Sequence, residues 1–130
     1  MLQISLRLLW QMDSRVFKRG EIYLANLNPK RGNEVGKLRP VLIYQTDMLN
    51  EALHPTTTVL PLTTHLVDGG YPLRFRVTQR GKLEFTSELL CDQIRTLDNC
   101  RIIGERVAML DSDEMSQVDK QVTILLGMEP

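Results

Sequence analysis

The chain has 130 residues, of which 42% are hydrophobic and 25% charged, ordinary values for a globular protein. This composition predicts one domain with a core and excludes a disordered chain. Its 16 basic and 16 acidic side chains sum to zero, but residues 1–40 carry eight basic against three acidic, and residues 81–130 five against ten. We therefore expect any anionic ligand at the N-terminal half.

The first predicted element is a β-hairpin over residues 19–47. Apolar side chains alternate at Ile22 and Leu24 and again at Val41 and Ile43, the period of a half-buried strand. The segment between the two runs is rich in glycine and basic residues, as expected for an exposed loop.

Arg39 is the candidate anion-binding residue of this hairpin. Pro40 disfavours the helical region for the residue before it, so Arg39 is expected to be extended at the start of the second strand. A guanidinium there, facing a loop with Lys30, Arg31 and Lys37, suits a phosphate. The residues alone give equal weight to a solvated arginine beside a surface turn.

Shorter elements follow the hairpin. Asp47 is predicted to cap a helical turn that Pro55 ends. Residues 56–62 are predicted to form a third strand, followed by a turn at residues 68–70 and a strand over residues 73–78 with arginines on its outer side.

The last third of the chain contains one ambiguous segment and one clear helix. Residues 83–97 fit helical spacing as well as strand spacing, and we favour an extended segment, after a turn at residues 79–82. Residues 106–110 are predicted to form a closing strand. Asp111, with Glu114 three positions on, predicts the capping box of a C-terminal helix.

Five or more short strands and one good helix indicate a mainly β (α+β) fold. A small closed or nearly closed barrel leaves few strand edges unpaired, so we predict that architecture, with the helix across the barrel or against a partner.

Composition also limits cofactors and location. Cys91 and Cys100, in a chain without an export signal, predict reduced thiols and a cytoplasmic location. His54 and His65 are the only histidines, and CxxC is absent, so neither a metal nor another cofactor is predicted. The apolar opening residues are too short for a membrane span, so no membrane association is expected.

Four segments together resemble the MazF/PemK family of toxin endoribonucleases, the toxin components of type II toxin–antitoxin systems. They are residues 19–23, 32–42, 58–63 and 93–98, in this order. The resemblance covers residues 18–127. We therefore assign residues 18–130 to a MazF/PemK-like barrel domain, and residues 1–17 to an N-terminal extension with no assigned function.

The resemblance implies an SH3-like barrel of five to seven strands with a C-terminal helix. It also implies a homodimer that cleaves single-stranded RNA, usually mRNA, at short sequence motifs without a metal. A MazE-like cognate antitoxin would inhibit the enzyme by occupying its RNA groove.

The same resemblance implies roles for individual residues. The family's catalytic arginine and threonine fall on Arg39 and Thr63, and Gln93 matches a position near the RNA. Arg31 and Lys37 would line the RNA from the first loop. Many relatives have serine in that loop where this chain has Asn33, a change that we expect to alter positioning.

The chemistry implied by the resemblance needs donors to the phosphoryl oxygens and two proton transfers. Arg39 and Thr63 suit the first task. Glu34 and His65 are candidates for base and acid, but a loop carboxylate paired with a neighbouring cation and a surface histidine are the more favoured interpretations. Tyr71 could stack on a base or cover the core.

Two other functions remain open. A non-catalytic toxin that binds gyrase, as CcdB-like proteins do on the same fold, would need neither the Arg39–Pro40 hairpin nor Thr63. An RNA-binding module that has lost catalysis is favoured only by Asn33.

Overall fold

The computed structural model describes residues 15–34 and 36–128 of the chain. Two α-helices are present, α1 (Asp47–Glu51) and α2 (Ser112–Leu125), with one turn of 3-10 helix at Asn99–Arg101. The strands are β1 (Glu21–Asn26), β2 (Leu38–Ile43), β3 (Thr56–Thr63), β4 (Arg74–Val77), β5 (Ser87–Leu90), β6 (Arg95–Asp98) and β7 (Ile102–Met109).

The seven strands form one antiparallel sheet in the order β4-β5-β3-β2-β1-β7, with β6 also paired to β3. Strand β3 pairs with β2 on one side, while on the other side its first half pairs with β6 and its end with β5. The sheet is barrel-like without closing, since β4 and β7 remain its ends. The predicted mainly β barrel with a C-terminal helix is confirmed.

Two buried clusters lie on opposite faces of the central strands. One contains Ile22, Leu42 and Leu60, together with residues of α2. The other contains Tyr23 and Val41, with neighbouring residues of the hairpin and β3. Strand β1 is therefore buried on both faces, and its interpretation as a half-buried strand is wrong. The alternation appeared because tyrosine and alanine fill the second face.

Two predicted strands differ in extent from those observed. The extended segment at residues 83–97 contains two strands, β5 and β6, separated by a turn. The closing strand begins at Ile102 rather than at residue 106. Its pairing with β1 shifts register between Ile22 and Leu24, where Gly104 has a φ of 70°. A glycine in this conformation fits a bulge, which interrupts the sequence alternation without ending the strand.

Helix α1 has a different start from the predicted one. Its N-cap residue is Thr46, which makes no side-chain cap, so the assignment of Asp47 as the cap is wrong. The Asp47 carboxylate instead accepts hydrogen bonds from the Arg19 backbone N–H at 2.7 Å and from Asn50 at 3.2 Å. Asp47 thus joins the start of the hairpin to α1.

Helix α2 begins with the predicted capping box. Asp111 Oδ1 accepts the Glu114 N–H at 2.8 Å, and Glu114 Oε1 accepts the Asp111 N–H at 3.0 Å. Met115, Val118 and Val122 pack the helix onto the first cluster. The capping box and the apolar face together hold α2 against the barrel.

Replacing Asp111 with alanine is expected to lower the free energy of unfolding by about 1 kcal/mol, because the Glu114 N–H at the exposed start of α2 loses its side-chain acceptor. Urea denaturation measures the change. Ser116→Ala, an exposed change within the same helix, is the control and should stay within about 0.5 kcal/mol of wild type. Equal effects of the two changes would contradict the capping role.

Residues 15–17 pack on the barrel. Phe17 is buried, and its ring meets the Tyr23 ring edge-on, with centroids 5.1 Å apart. Arg15 donates to the Gly104 carbonyl at 2.9 Å. The remainder of the predicted extension, residues 1–14, lies outside the described residues, so the domain boundary stays a prediction. No helix in the described ranges is long and apolar enough to span a membrane.

Candidate active site

The start of β2 and the end of β3 meet at a cleft of about 380 Å³. Val41 of β2 pairs with Pro61 of β3, and continuing this antiparallel register by two residues brings Arg39 level with Thr63. Both residues line the cleft, with Lys37, Leu38, Pro40, Leu62, Thr64 and His65 completing its wall. Two segments distant in sequence therefore present a guanidinium and a hydroxyl to the same space.

Arg39 lies in the first residues of β2, as predicted from Pro40, and its side chain is half-buried. Its Nε donates to the Gly36 carbonyl at 2.9 Å, which fixes the plane of the guanidinium. None of the described ion pairs involves Arg39. The two terminal nitrogens are consequently available to a ligand, in the fork geometry that matches two oxygens of one phosphate.

Gly36 holds that carbonyl in place because it lacks a side chain. A Cβ at this position would lie 2.7 Å from Lys30 Cβ and 3.1 Å from the Asn28 side-chain oxygen. The same Asn28 oxygen accepts the Lys37 N–H at 2.7 Å. Lys37, with a φ of 72°, then turns the chain into β2 and brings its own side chain to the cleft. This close approach of the loop to itself orients Arg39.

Thr63 is the last residue of β3, and its hydroxyl oxygen accepts the His65 backbone N–H at 3.1 Å. Because the oxygen is the acceptor in this bond, the hydroxyl hydrogen remains free to donate to a ligand. The His65 carbonyl accepts from Arg74 Nη1 at 2.8 Å. The turn after β3 is thus held at both ends.

Glu88 lies opposite Thr63 in the pairing of β3 with β5 and stabilises the turn after β3. It is 4% exposed and accepts from Arg74 at 3.1 Å, from Arg76 at 3.1 Å and from the Val67 N–H at 2.9 Å. Burial alone would raise the pKa of the Glu88 carboxyl, but these hydrogen bonds outweigh it and lower the pKa. Glu88 is the functional candidate that the sequence did not indicate.

The predicted outer row of arginines on β4 is therefore only partly exposed. Arg74 and Arg76 both face Glu88, as cross-strand neighbours of opposite charge. The sequence signal for this contact was the isolated acidic residue of β5, Glu88. It predicts the contact only when the strand register is known.

Two of the other predicted residues reach the cleft, and five do not. Lys37 and His65 line it. Arg31, Asn33 and Glu34 are exposed on the preceding loop, where the Glu34 N–H donates to the Arg31 carbonyl at 3.0 Å. Gln93 is half-buried between β5 and β6, and Tyr71 is 68% exposed. These five residues lie outside the cleft wall.

The cleft is suited to an anion. Arg39 and Lys37 bring positive charge, Thr63 brings a neutral donor, and the described wall contains no carboxylate. Donors fixed before the ligand arrives can stabilise charge that develops on a phosphoryl oxygen. The described residues contain no group of three or more His, Cys, Asp or Glu side chains that could hold a metal ion.

Glu88 and Glu114, two carboxylates that are buried or partly buried, have lowered pKa values and predict the acid sensitivity of the fold. The Arg80 guanidinium donates two hydrogen bonds to Glu114, at 2.5 and 2.8 Å, and lowers the pKa of the Glu114 carboxyl despite its partial burial. The pKa of the Glu88 carboxyl is also lowered. Their stabilisation is therefore complete above the ordinary pKa of 4.5 and is lost as the pH falls through the lower folded values. When thermal unfolding is measured from pH 7 to pH 3, the melting temperature should begin to decrease once the pH is below about 4.5. Glu88→Gln should flatten this acid dependence, and an unchanged slope would contradict it.

The sequence and the fold are both similar to those of known proteins. Residues 18–126 match the family model described as PemK-like, MazF-like toxin of type II toxin–antitoxin system. The crystal structure of MazF from Deinococcus radiodurans is similar, with 28% identity and a TM-score of 0.71, over 88% of this chain and all of that chain.

Two structures of toxin–antitoxin complexes are also similar. MazE–MazF from Deinococcus radiodurans has 25% identity and a TM-score of 0.69, over 89% of this chain and 100% of that chain. An endoribonuclease in complex with its cognate antitoxin, from a mycobacterial species, has 19% identity and a TM-score of 0.67, over 89% of this chain and 98% of that chain. The match to the family model spans most of the chain and the whole of the cleft. The chain belongs to the family of PemK-like, MazF-like toxins of type II toxin–antitoxin systems.

Proposed function

We propose that the chain is an endoribonuclease toxin that cleaves single-stranded RNA at short sequence motifs without a metal. The observation that carries the proposal is the meeting of Arg39 and Thr63 in one cleft whose described wall has no carboxylate. Membership of a toxin family with endoribonuclease members supports it. A gyrase-binding toxin would not need this pair of donors. An RNA-binding module that has lost catalysis could lack one of them, but this chain has both.

The proposed reaction is attack of a ribose 2′-hydroxyl on the adjacent phosphorus. A bond forms between the 2′ oxygen and phosphorus while the bond to the 5′ oxygen breaks, which leaves a 2′,3′-cyclic phosphate and a 5′-hydroxyl. Arg39 and Thr63 would donate to the two non-bridging oxygens, where negative charge increases in the transition state.

Proton transfer is the second requirement of this reaction. A base must take the 2′ proton, and an acid must supply one to the departing 5′ oxygen. His65 lines the cleft and is the candidate acid, whereas Glu34 is exposed outside it. Arg39 is a poor base because a guanidinium does not release its proton readily.

Incubation of the purified protein with a long RNA in excess EDTA tests the proposal. We expect cuts at one recurring motif, with 5′-hydroxyl ends that a kinase can label directly. Intact RNA that binds the protein would overturn the proposal in favour of the non-catalytic module. Intact RNA together with trapped gyrase–DNA complexes would favour the gyrase-binding toxin.

Two partners complete the proposal. The similarity to a MazE–MazF complex supports a MazE-like antitoxin polypeptide as the inhibitor of this chain. A homodimer is supported by the apolar side chains that remain exposed at the end of α2, Leu126 at 57% and Met128 at 68%. Light scattering after size exclusion should give twice the 14.9 kDa chain mass, and a strict monomer at micromolar concentration would count against the dimer. The free thiols Cys91 and Cys100 suit the proposed cytoplasmic location.

A further inference from the structure

A second cavity, of about 350 Å³, joins the active-site cleft at Pro40 and Thr64, which line both. Its volume is within the range of about 300–1,000 Å³ found for small-ligand sites. Leu24, Leu83 and Val107 make its floor largely apolar, and Lys82, Glu84, Phe85 and Ser87 complete the lining. A chain bound in the cleft can therefore continue around the ends of β2 and β3 into this cavity.

Phe85 is the aromatic side chain of this cavity and is 64% exposed. It lies between the turn at Gly81 and β5, and its carbonyl accepts the Ser87 hydroxyl at 2.9 Å. The only ring pair within the described ranges is that of Phe17 and Tyr23, so the face of Phe85 is not used by another ring there. An exposed aromatic face beside an apolar floor is the kind of surface on which a nucleobase stacks.

A third cavity, of about 300 Å³, extends this path and shares Lys82 and Val107 with the second. Arg80, Gly81 and Arg106 are among its other lining residues. With Lys82, three basic side chains therefore line this cavity, a composition suited to the phosphate that follows a stacked base.

Lys82 is the cation best placed to meet such a phosphate. Arg80 is occupied by Glu114, and Arg106 by Glu21 at 3.3 Å, whereas Lys82 is in none of the described ion pairs. Its backbone is fixed, since the Lys82 N–H donates to the Val107 carbonyl at 2.7 Å. Gly81 permits this contact, because a Cβ there would lie 2.8 Å from the same carbonyl.

We propose that this continuous groove binds the nucleotide next to the scissile phosphate. Its base stacks on Phe85, and the phosphate beyond that base contacts Lys82. The inference rests on the proposed ribonuclease activity and assigns Phe85 and Lys82 to substrate binding and motif choice. A single strand of RNA fits the alternation of anion site, aromatic face and second anion site along the groove.

The test begins with the cut motif of the wild-type protein, mapped on a long RNA. A short oligonucleotide with that motif is then cleaved in EDTA. Phe85→Ala should lower kcat/KM about tenfold, mostly through KM, because stacking on one base is lost. Phe85→Trp should retain most activity. Met48→Ala, an exposed apolar change on α1, is the matched control and should not alter cleavage.

Abasic substrates locate the stacked base. Removing the base at one position next to the cut should lower kcat/KM about tenfold for the wild-type protein and have little further effect with Phe85→Ala, because both changes remove the same contact. Independent losses would place Phe85 elsewhere and overturn the inference.

Salt dependence tests Lys82. Lys82→Ala should reduce the slope of log binding constant against log salt by about 0.7, the value for one phosphate contact on a single strand. Lys120→Ala, on the exposed side of α2, should leave the slope unchanged.

The outcomes separate this inference from the proposed function. A wild-type protein that cuts no RNA would overturn both. Wild-type cleavage with unchanged kinetics for Phe85→Ala and Lys82→Ala would overturn the groove alone. In that case, weaker binding of an antitoxin peptide to the two variants would identify the groove as an antitoxin site.

Discussion

Replacing Arg39 with alanine is expected to lower the rate of RNA cleavage about a hundredfold or more, the usual cost of removing one donor from a preorganised oxyanion site. The guanidinium is half-buried, is oriented by the Gly36 carbonyl at 2.9 Å and shares its cleft with Thr63. Single-turnover cleavage of a short oligonucleotide containing the cut motif measures the loss.

The fold should survive this substitution, since only one hydrogen bond to a loop carbonyl is removed, worth about 1 kcal/mol. Arg39→Lys keeps the charge without the fork and should recover part of the rate. Lys120→Ala removes one positive charge from the exposed side of α2, outside the cleft, and should cost far less. Near-normal cleavage by folded Arg39→Ala protein would refute the assignment of Arg39.

Glu88→Gln is expected to have the largest effect on stability, about 2–3 kcal/mol in the free energy of unfolding. One carboxylate oxygen accepts hydrogen bonds from Val67 and Arg74, and the other accepts from Arg76. Glutamine replaces one of these oxygens with an NH2 group, which is itself a donor, so the protein donor facing it loses its acceptor. Arg74 keeps some access to water, which holds the cost below that of a fully buried pair, about 3–5 kcal/mol.

The same substitution should also slow cleavage, by severalfold, although Glu88 does not line the cleft. Without Glu88, Arg74 loses an ion-pair partner and holds the His65 carbonyl, now at 2.8 Å, less firmly. The His65 N–H in turn donates to the Thr63 hydroxyl oxygen, so the position of Thr63 is affected. Urea denaturation and single-turnover rates measure the two effects. Glu51→Gln, an exposed carboxylate on α1, is the control. A variant as stable as this control would show that the buried ion pairs contribute nothing.

Local sequence signals predicted much of the fold. Alternation and Pro40 predicted the first hairpin, and the spacing of Asp111 and Glu114 predicted the start of α2. These features depend on residues a few positions apart, so they are visible in the sequence. Family resemblance then predicted Arg39 and Thr63, which the strand register brings together in one cleft.

Features that depend on register could not be obtained in this way. Glu88 faces Thr63 and the two arginines of β4 only because β5 lies between β3 and β4 in a fixed alignment. The burial of β1 on both faces, and the bulge at Gly104, likewise depend on neighbours distant in sequence. Gln93 and Tyr71 lie outside the cleft of the single chain, so their predicted contact with RNA remains a prediction.

A double-mutant cycle of Arg39→Ala and Thr63→Val measures most directly whether these two side chains act on one phosphate. Single-turnover rates of the two single variants and the double variant are compared in EDTA, with melting temperatures confirming that each is folded. If both groups donate to the same phosphoryl group, the double variant should be little slower than the slower single variant, because the first loss already disrupts the shared transition state. A double variant whose loss equals the product of the two single losses would show that the two side chains act independently, and would contradict a shared site.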